Sequence, residues 1–98
     1  MKIVTYNING IRAANKLGLF KWVQEFDADI YCFQEVRCAE DLAKSIVFDG
    51  NSQLSLFDEE ISSRLTNYHA VFNCGNIAGY AGTFILSKIK PDKVFYDI

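Results

Sequence analysis

Two short runs of strand-forming residues, separated by a helical pattern, constrain the fold of this chain more than any other feature. Lys2 to Asn7 is rich in β-branched and aromatic residues and leads into the turn pair Asn9-Gly10. Ile30 to Phe33 is a second apolar run of strand length. A strand, a helix and a second strand form a unit whose strands normally lie parallel in one sheet. The chain is therefore expected to be an α/β protein.

The segment between the two runs predicts one amphipathic helix. Charged and amide side chains alternate with apolar residues at helical spacing from Lys16 to Phe26. We expect this helix to end before Asp27-Ala28-Asp29 and to place Trp22 in the core. The apolar positions are Leu17, Phe20, Trp22, Val23 and Phe26.

The second half of the chain combines an irregular middle with a predicted antiparallel hairpin. Ala39 to Val47 has the pattern of a short helix, and residues 48–66 are interpreted as a surface insertion. Tyr68 to Asn73 and Thr83 to Ser87 flank a glycine-rich turn, which is typical of a hairpin. Lys93 to Ile98 is a last strand candidate. A chain that stops in such apolar strand residues is expected to continue.

Composition limits the class of protein. The chain has 98 residues, 50% of them hydrophobic, which suffices for one small globular domain. Because the formal net charge is −2, nucleic-acid binding would require the cations to gather on one face. No signal peptide or membrane span is present in the sequence, so we expect a cytoplasmic protein without a membrane partner. The 3 cysteines are expected to be reduced, with two of them packed, and a single histidine, His69, does not favour a zinc site.

The ends of the two parallel strands carry the candidate chemistry. Carboxyl ends of parallel strands meet at one edge of the sheet, where open α/β folds place ligand sites. The first strand delivers Asn7 and Asn9 to this edge, and the second delivers Gln34 and Glu35. Carboxamides beside a carboxylate suit a hard cation such as Mg²⁺. From spacing alone, a solvated glutamate at a strand end remains the alternative.

Three segments, in order, resemble motifs of the exonuclease III family of abasic-site endonucleases. They are Tyr-Asn-Ile-Asn-Gly-Ile-Arg-Ala at 6–13, Asp-Ile-Tyr-Cys-Phe-Gln-Glu-Val-Arg at 29–37 and Gly-Tyr-Ala-Gly at 79–82. Arg12-Ala13 after Asn9-Gly10 separates this branch from the DNase I-like nucleases, sphingomyelinases and inositol-phosphate phosphatases of the wider superfamily. The resemblance implies that residues 1–98 form the N-terminal part of a four-layer α/β sandwich of the DNase I-like fold, with a mixed sheet.

The resemblance also implies roles for individual residues. Glu35 would be the carboxylate ligand of a catalytic Mg²⁺, for which Mn²⁺ could substitute. Asn7 would act beside it in the metal and phosphate cluster, as a catalytic and metal-contacting residue. Arg37 stands where the family commonly has Lys. Ordinary turn chemistry is the alternative for the 79–82 segment. The implied DNA-contacting residues are Asn9, Arg12, Arg37, Gly79 and Tyr80.

The function implied by the resemblance is DNA repair. A Mg²⁺-dependent enzyme of this kind cuts double-stranded DNA at abasic sites and trims 3′ ends, and it would act in the bacterial cytoplasm at the nucleoid. The family's later Gly-Asp-Phe-Asn and Ser-Asp-His motifs do not occur in this sequence. The chain alone is therefore expected to be inactive. Another phosphodiesterase or phosphatase of the superfamily remains an alternative.

A second hypothesis concerns a short peptide in the middle of the chain. The segment Gln53-Leu54-Ser55-Leu56-Phe57 matches the peptide by which bacterial polymerases and repair proteins bind the DNA sliding clamp. Leu54, Leu56 and Phe57 would be apolar anchors in a preformed groove, while Gln53 hydrogen-bonds at its rim. A non-catalytic interaction module is therefore the alternative to an enzyme. A short packed strand or helical turn is the structural alternative for these residues.

Overall fold

A mixed four-stranded sheet organises the structure, a computed structural model that describes residues 1–49, 65–74 and 81–95. In this part of the chain the strand order is β1-β2-β4-β3. The strands are β1 (Ile3–Asn7), β2 (Ile30–Gln34), β3 (His69–Asn73) and β4 (Thr83–Ser87).

The pairing of the strands confirms both predicted supersecondary units. β1 and β2 are parallel, with Asn7 opposite Gln34, as a strand–helix–strand unit requires. β3 and β4 pair antiparallel and form the predicted hairpin, and β4 also pairs antiparallel with β2. The hairpin therefore lies beside β2, and β2 is central with a neighbour on each side.

The helices differ from the prediction between the first two strands. The helix expected over 16–26 is confirmed as α2 (Leu19–Phe26), which begins three residues later than predicted, and a further helix that was not predicted, α1 (Ile11–Lys16), precedes it. Gly18 adopts a left-handed conformation with φ of 91°, which a continuous α-helix does not contain. Leu17 consequently points to solvent and is 89% exposed.

The prediction that Trp22 lies in the core is wrong, because this residue is 37% exposed and does not belong to the buried core. Its ring stacks on Phe26 at 5.3 Å between centroids and meets the edge of Tyr31 at 5.7 Å. Trp22 therefore covers the rim of the core, with one part of the indole in contact with water.

The core lies between one face of the sheet and the helices. Tyr31 and Phe33 of β2 are fully buried, and Phe33 lies 4.8 Å from Phe84 of β4, centroid to centroid. Phe20 of α2 packs on the same ring at 6.5 Å. The predicted helix over 39–47 is confirmed as α3 (Glu40–Asp49), which adds three buried side chains to the core. These are Ala43, Ile46 and Val47.

The remaining parts of the chain match the sequence analysis only in part. Residues 93–95 form no strand, in contrast to the prediction for 93–98. At the margins of the proposed 48–66 insertion, residues 48–49 complete α3 and Leu65–Asn67 forms a 3₁₀ turn, while residues 50–64 lie outside the described residues. Among the described helices, none has the length and apolar character needed to cross a bilayer.

Candidate functional site

Asn7 and Asn9 lie next to Glu35, as the parallel pairing predicts. The chain that follows β1 continues beside the chain that follows β2, so parallel hydrogen bonding extends past the sheet. Ile8 N–H donates to Gln34 O at 3.1 Å, and Gly10 N–H donates to Glu35 O at 2.8 Å. The first turn after β1 is therefore fixed directly to the backbone of the candidate metal ligand.

Both carboxylate oxygens of Glu35 accept hydrogen bonds from neighbouring side chains. Asn7 Nδ2 donates to Oε2, and Arg37 Nη2 donates to Oε1 at 2.5 Å as part of an ion pair. Asn9 N–H donates to Asn7 Oδ1 at 2.9 Å, which turns the Asn7 amide nitrogen towards Glu35. The Asn7 hydrogen bond, and after it the Arg37 charge, hold the pKa of Glu35 below its ordinary value. The carboxyl group is therefore kept ionised.

The backbone around this carboxylate is strained. Glu35 and Arg37 both have φ of 56°, in the left-handed region that residues with a Cβ rarely adopt. Each such residue costs about 1–2 kcal/mol. Val36, between them, is completely buried and anchors the segment. Strain of this kind persists where the surroundings over-determine the conformation, and it is concentrated at functional sites.

A second backbone segment supports the strained tripeptide from the other side. Val36 N–H donates to Gly82 O at 3.2 Å, and Arg37 N–H donates to Ala81 O at 3.0 Å. Sequence reasoning missed this contact because it assigned the 79–82 motif to the DNA. The available signal was a glycine immediately before a predicted strand, a position that often marks close backbone approach.

The structure describes only some of the residues that were predicted to contact DNA. Arg12 is exposed in the first turn of α1, directly after Ile11, whose N–H donates to Val36 O at 2.9 Å. Arg37 is also exposed, so two cations accompany Glu35 at this edge of the sheet. Gly79 and Tyr80 lie outside the described residues, as do Gln53, Leu54, Leu56 and Phe57.

Gln34 belongs to the sheet rather than to the cluster at its edge. Its Nε2 donates to Thr5 Oγ1 at 2.9 Å and to Cys32 O at 2.8 Å. Both contacts lie on neighbouring positions of β1 and β2. The structure therefore removes Gln34 from the oxygen-rich cluster that spacing alone suggested and leaves Glu35 with the two asparagines.

The donor set fits a hard divalent cation that keeps much of its water. Within residues 1–49, 65–74 and 81–95, no three His, Cys, Asp or Glu side chains gather to form a metal site. Mg²⁺ does not need such a cage, because it is commonly held by one or two carboxylates together with waters and substrate phosphates. An ionised, partly exposed Glu35 meets this requirement, and Asn7 and Asn9 determine how its carboxylate is turned.

The cysteines near this edge do not compete for a metal. Cys38 and Cys74 are buried, as predicted for two of the three thiols, while Cys32 is half-buried. Burial raises the pKa of Cys38, and it raises the pKa of Cys74 to about 11. Both thiols are therefore protonated at neutral pH, whereas metal binding and nucleophilic attack need the thiolate.

Comparison with known proteins places this geometry in a family. Residues 4–97 match the model of the Endonuclease/Exonuclease/phosphatase family. The chain is 30% identical to the exodeoxyribonuclease of Bacillus subtilis, and the match covers 100% of this chain and 32% of the relative. It is 35% identical to DNA-(apurinic or apyrimidinic site) endonuclease 2 of Xenopus laevis, where the match covers 93% of the chain and 15% of the relative.

A solved structure of the same kind has the same fold. The AP endonuclease from Archaeoglobus fulgidus superposes with a TM-score of 0.63 at 28% identity, covering 97% of this chain and 30% of that one. The predicted α/β fold of the DNase I-like type is thereby confirmed. The chain spans about a third or less of the length of these relatives. It belongs to the endonuclease/exonuclease/phosphatase family, within the group of exonuclease III and abasic-site endonucleases.

Proposed function

We propose that the protein carrying this chain cuts the backbone of double-stranded DNA 5′ to abasic sites and trims 3′ ends, with Glu35 as a ligand of Mg²⁺. One observation carries the proposal. The Glu35 carboxylate is held ionised by Asn7 and Arg37 at the edge where the carboxyl ends of β1 and β2 meet. The names of the Bacillus and Xenopus relatives support DNA as the substrate.

Glu35, Asn7 and Asn9 have different roles at the proposed metal site. A bound Mg²⁺ would polarise the scissile phosphate and stabilise the leaving oxygen, and Mn²⁺ would substitute for it. Glu35 supplies the carboxylate that holds the cation, and Asn7 orients that carboxylate. Asn9 fixes the orientation of the Asn7 side chain through its backbone N–H.

Positive charge at the same edge suits the DNA backbone. Arg12 and Arg37 are both exposed there, and phosphate contacts position a protein on DNA without reading its sequence. Arg37 carries a planar guanidinium that bonds the Glu35 carboxylate with one nitrogen, which leaves other donors on the same group for a phosphate oxygen. In a bacterium this enzyme would work in the cytoplasm at the nucleoid.

A substrate panel tests the reaction class. The natural protein containing this chain would be incubated with Mg²⁺ and four substrates: a duplex with one abasic analogue, the intact duplex, an inositol phosphate and sphingomyelin. We expect incision 5′ to the abasic analogue, slower removal of 3′ nucleotides from the intact duplex, and loss of both on chelation by EDTA. Turnover of the inositol phosphate or the lipid without DNA cleavage would contradict the proposal and favour another branch of the superfamily.

The sequence of the middle segment supports a second candidate function, binding to the DNA sliding clamp through Gln53 to Phe57. Two leucines and a phenylalanine at the spacing of Gln-Leu-x-Leu-Phe form an anchor pattern for a hydrophobic groove. Binding of the natural protein to a purified bacterial clamp would be measured by surface plasmon resonance. We expect binding that Leu56→Ala with Phe57→Ala abolishes and that Leu17→Ala, a change at an exposed leucine outside the peptide, leaves intact. Equal binding by both variants, or none by the unaltered protein, would contradict this candidate.

A further inference from the structure

The tripeptide Glu35-Val36-Arg37 is held between two other backbone segments. On one side, Glu35 O and Val36 O accept hydrogen bonds from Gly10 and Ile11. On the other side, the amides of Val36 and Arg37 donate to the carbonyls of Gly82 and Ala81. Four backbone hydrogen bonds thus fix three residues, two of which have left-handed φ values.

The hydrogen bonds from Val36 and Arg37 to the 81–82 segment depend on the absence of a side chain at Gly82. Gly82 has φ of 64°, and a Cβ at this position would lie 3.1 Å from the Cα of Cys74 and 3.5 Å from the Cβ of Val36. The first of these atoms belongs to the backbone, so it cannot turn aside as the end of a flexible side chain can. A Cβ at this position would therefore displace the 81–82 segment or the Cys74 backbone by a few tenths of an ångström.

We propose that Gly82 is a positioning residue for the Glu35 metal site, an inference that rests on the proposed function. Its carbonyl holds the amide of Val36, and that amide belongs to the peptide group that follows Glu35. Displacement of the 81–82 segment releases Val36 and Arg37 together. The left-handed backbone of Glu35 then loses its support, and the carboxylate turns away from Asn7. Gly82 thus acts through Glu35.

The chain offers a matched control for a change at this glycine. Gly18 also has a left-handed φ, 91°, but a Cβ added there meets no atom within 4 Å. Gly82→Ala and Gly18→Ala therefore impose the same kind of backbone penalty, and only the first adds a close contact, with the Cα of Cys74. A loss of stability found in both variants is caused by the left-handed backbone that alanine disfavours. A change found only in Gly82→Ala is caused by the close approach of the added Cβ to its neighbours.

Two NMR measurements on the natural protein containing this chain separate positioning from general stability. The first is hydrogen exchange of the Val36 and Arg37 amides, which we expect to be at least about 10-fold faster in Gly82→Ala than in Gly18→Ala. The second is paramagnetic broadening of the Glu35 side-chain signals during a Mn²⁺ titration. We expect the Mn²⁺ affinity to fall by about 10-fold or more in Gly82→Ala and to stay within about twofold in Gly18→Ala, since residues that orient a metal ligand typically affect affinity on this scale.

The outcomes distinguish this inference from the proposed function. Absence of Mn²⁺ broadening at Glu35 in the unaltered protein would contradict the metal site itself. If Mn²⁺ binds, but the amide exchange rates and the Mn²⁺ affinity are equal in the two variants, the role of Gly82 is overturned and the metal site is not.

If Gly82→Ala does not fold, a backbone change provides the same test. A semisynthetic form of the natural protein, ligated at Cys38, would carry an ester in place of the Val36 amide and would lose the N–H that bonds to Gly82 without any change of side chain. We expect faster exchange at Arg37 and weaker Mn²⁺ binding. An ester variant with unchanged Mn²⁺ affinity would overturn the inference.

Discussion

The side-chain amide of Asn7 donates a hydrogen bond to the carboxylate of Glu35 across 28 residues of sequence. The contact exists because β1 and β2 are parallel and in a register that places Asn7 opposite Gln34, one residue before Glu35. A carboxylate at the end of one strand is thus oriented by the neighbouring strand. The position of the site depends on the sheet, and its fine geometry depends on the loop that follows each strand.

Removal of the Asn7 amide is expected to impair catalysis far more than folding. In the natural protein containing this chain, Asn7→Ala should slow incision of abasic DNA by about 10- to 100-fold, because a freed Glu35 carboxylate holds the metal less well. The measurement is the incision rate over a Mg²⁺ titration that starts below saturation, together with the unfolding temperature. Asn67→Ala, at an exposed position of the 3₁₀ turn, is the control and should retain full activity. Equal rates for the two variants would exclude an orienting role for Asn7.

The pH dependence of Glu35 follows from the same contact. Its folded-state pKa lies below the ordinary value of 4.5, because the ionised form accepts the Asn7 hydrogen bond and faces Arg37. Ionised Glu35 therefore stabilises the fold above about pH 4.5, and this contribution is lost as the pH falls through the folded-state pKa. A carbon-detected NMR titration should give a midpoint below 4.5 in the unaltered chain and a higher one in Asn7→Ala. A midpoint that does not move would show that Asn7 leaves the ionised form unaffected.

The contact between Asn7 and Glu35 could be predicted from the sequence because it depends only on the order and direction of the strands. Two strand-like runs with a helical segment between them favour a parallel pair, and residues that follow such strands share an edge. The backbone conformation of Glu35 and Arg37 had no comparable signal. Left-handed residues are usually marked by glycine or asparagine, as at Gly18 and Asn9, whereas these two positions carry long charged side chains.

The buried hydroxyl group of Tyr31 offers a test of the core. It donates to Val23 O at 2.6 Å and accepts from Ala28 N–H at 2.9 Å. Tyr31→Phe leaves that buried amide without its partner, so we expect a loss of about 1–3 kcal/mol in the free energy of unfolding. Urea denaturation of this chain measures it, with Tyr6→Phe as the control at an exposed tyrosine. Similar unfolding free energies for both variants would mean that the Tyr31 hydroxyl is not buried in this network.

The interruption between α1 and α2 was missed because apolar periodicity runs through it. The pattern assigned Leu17 to the apolar face and left out Leu19, whereas the structure exposes Leu17 and buries Leu19, on either side of the left-handed Gly18. A glycine within a helical pattern is tolerated often enough that it does not by itself predict a break. Trp22 was assigned to the core for the same reason, since periodicity gives the face of a helix but not how far a large ring reaches into solvent.

Alanine substitutions at the two leucines test this break. Leu19 is buried, so Leu19→Ala should lower the free energy of unfolding by about 2–5 kcal/mol. Leu17 is exposed, so Leu17→Ala should change it by about 0.5 kcal/mol or less. Urea denaturation of both variants gives the comparison. A large loss in Leu17→Ala would contradict the break at Gly18, because it would mean that Leu17 is buried.

We propose that Glu35 holds the metal with which the natural protein cuts DNA. The most direct test of this claim is the rate of incision of a duplex with one abasic analogue, in Mg²⁺, by the natural protein containing this chain and by its Glu35→Gln variant. Glu25→Gln, at an exposed glutamate of α2, removes the same charge elsewhere. We predict that Glu35→Gln lowers the rate by at least about 100-fold, with partial recovery at high Mg²⁺, while Glu25→Gln retains it. Equal rates for Glu35→Gln and the unaltered protein, at every Mg²⁺ concentration, would contradict the claim.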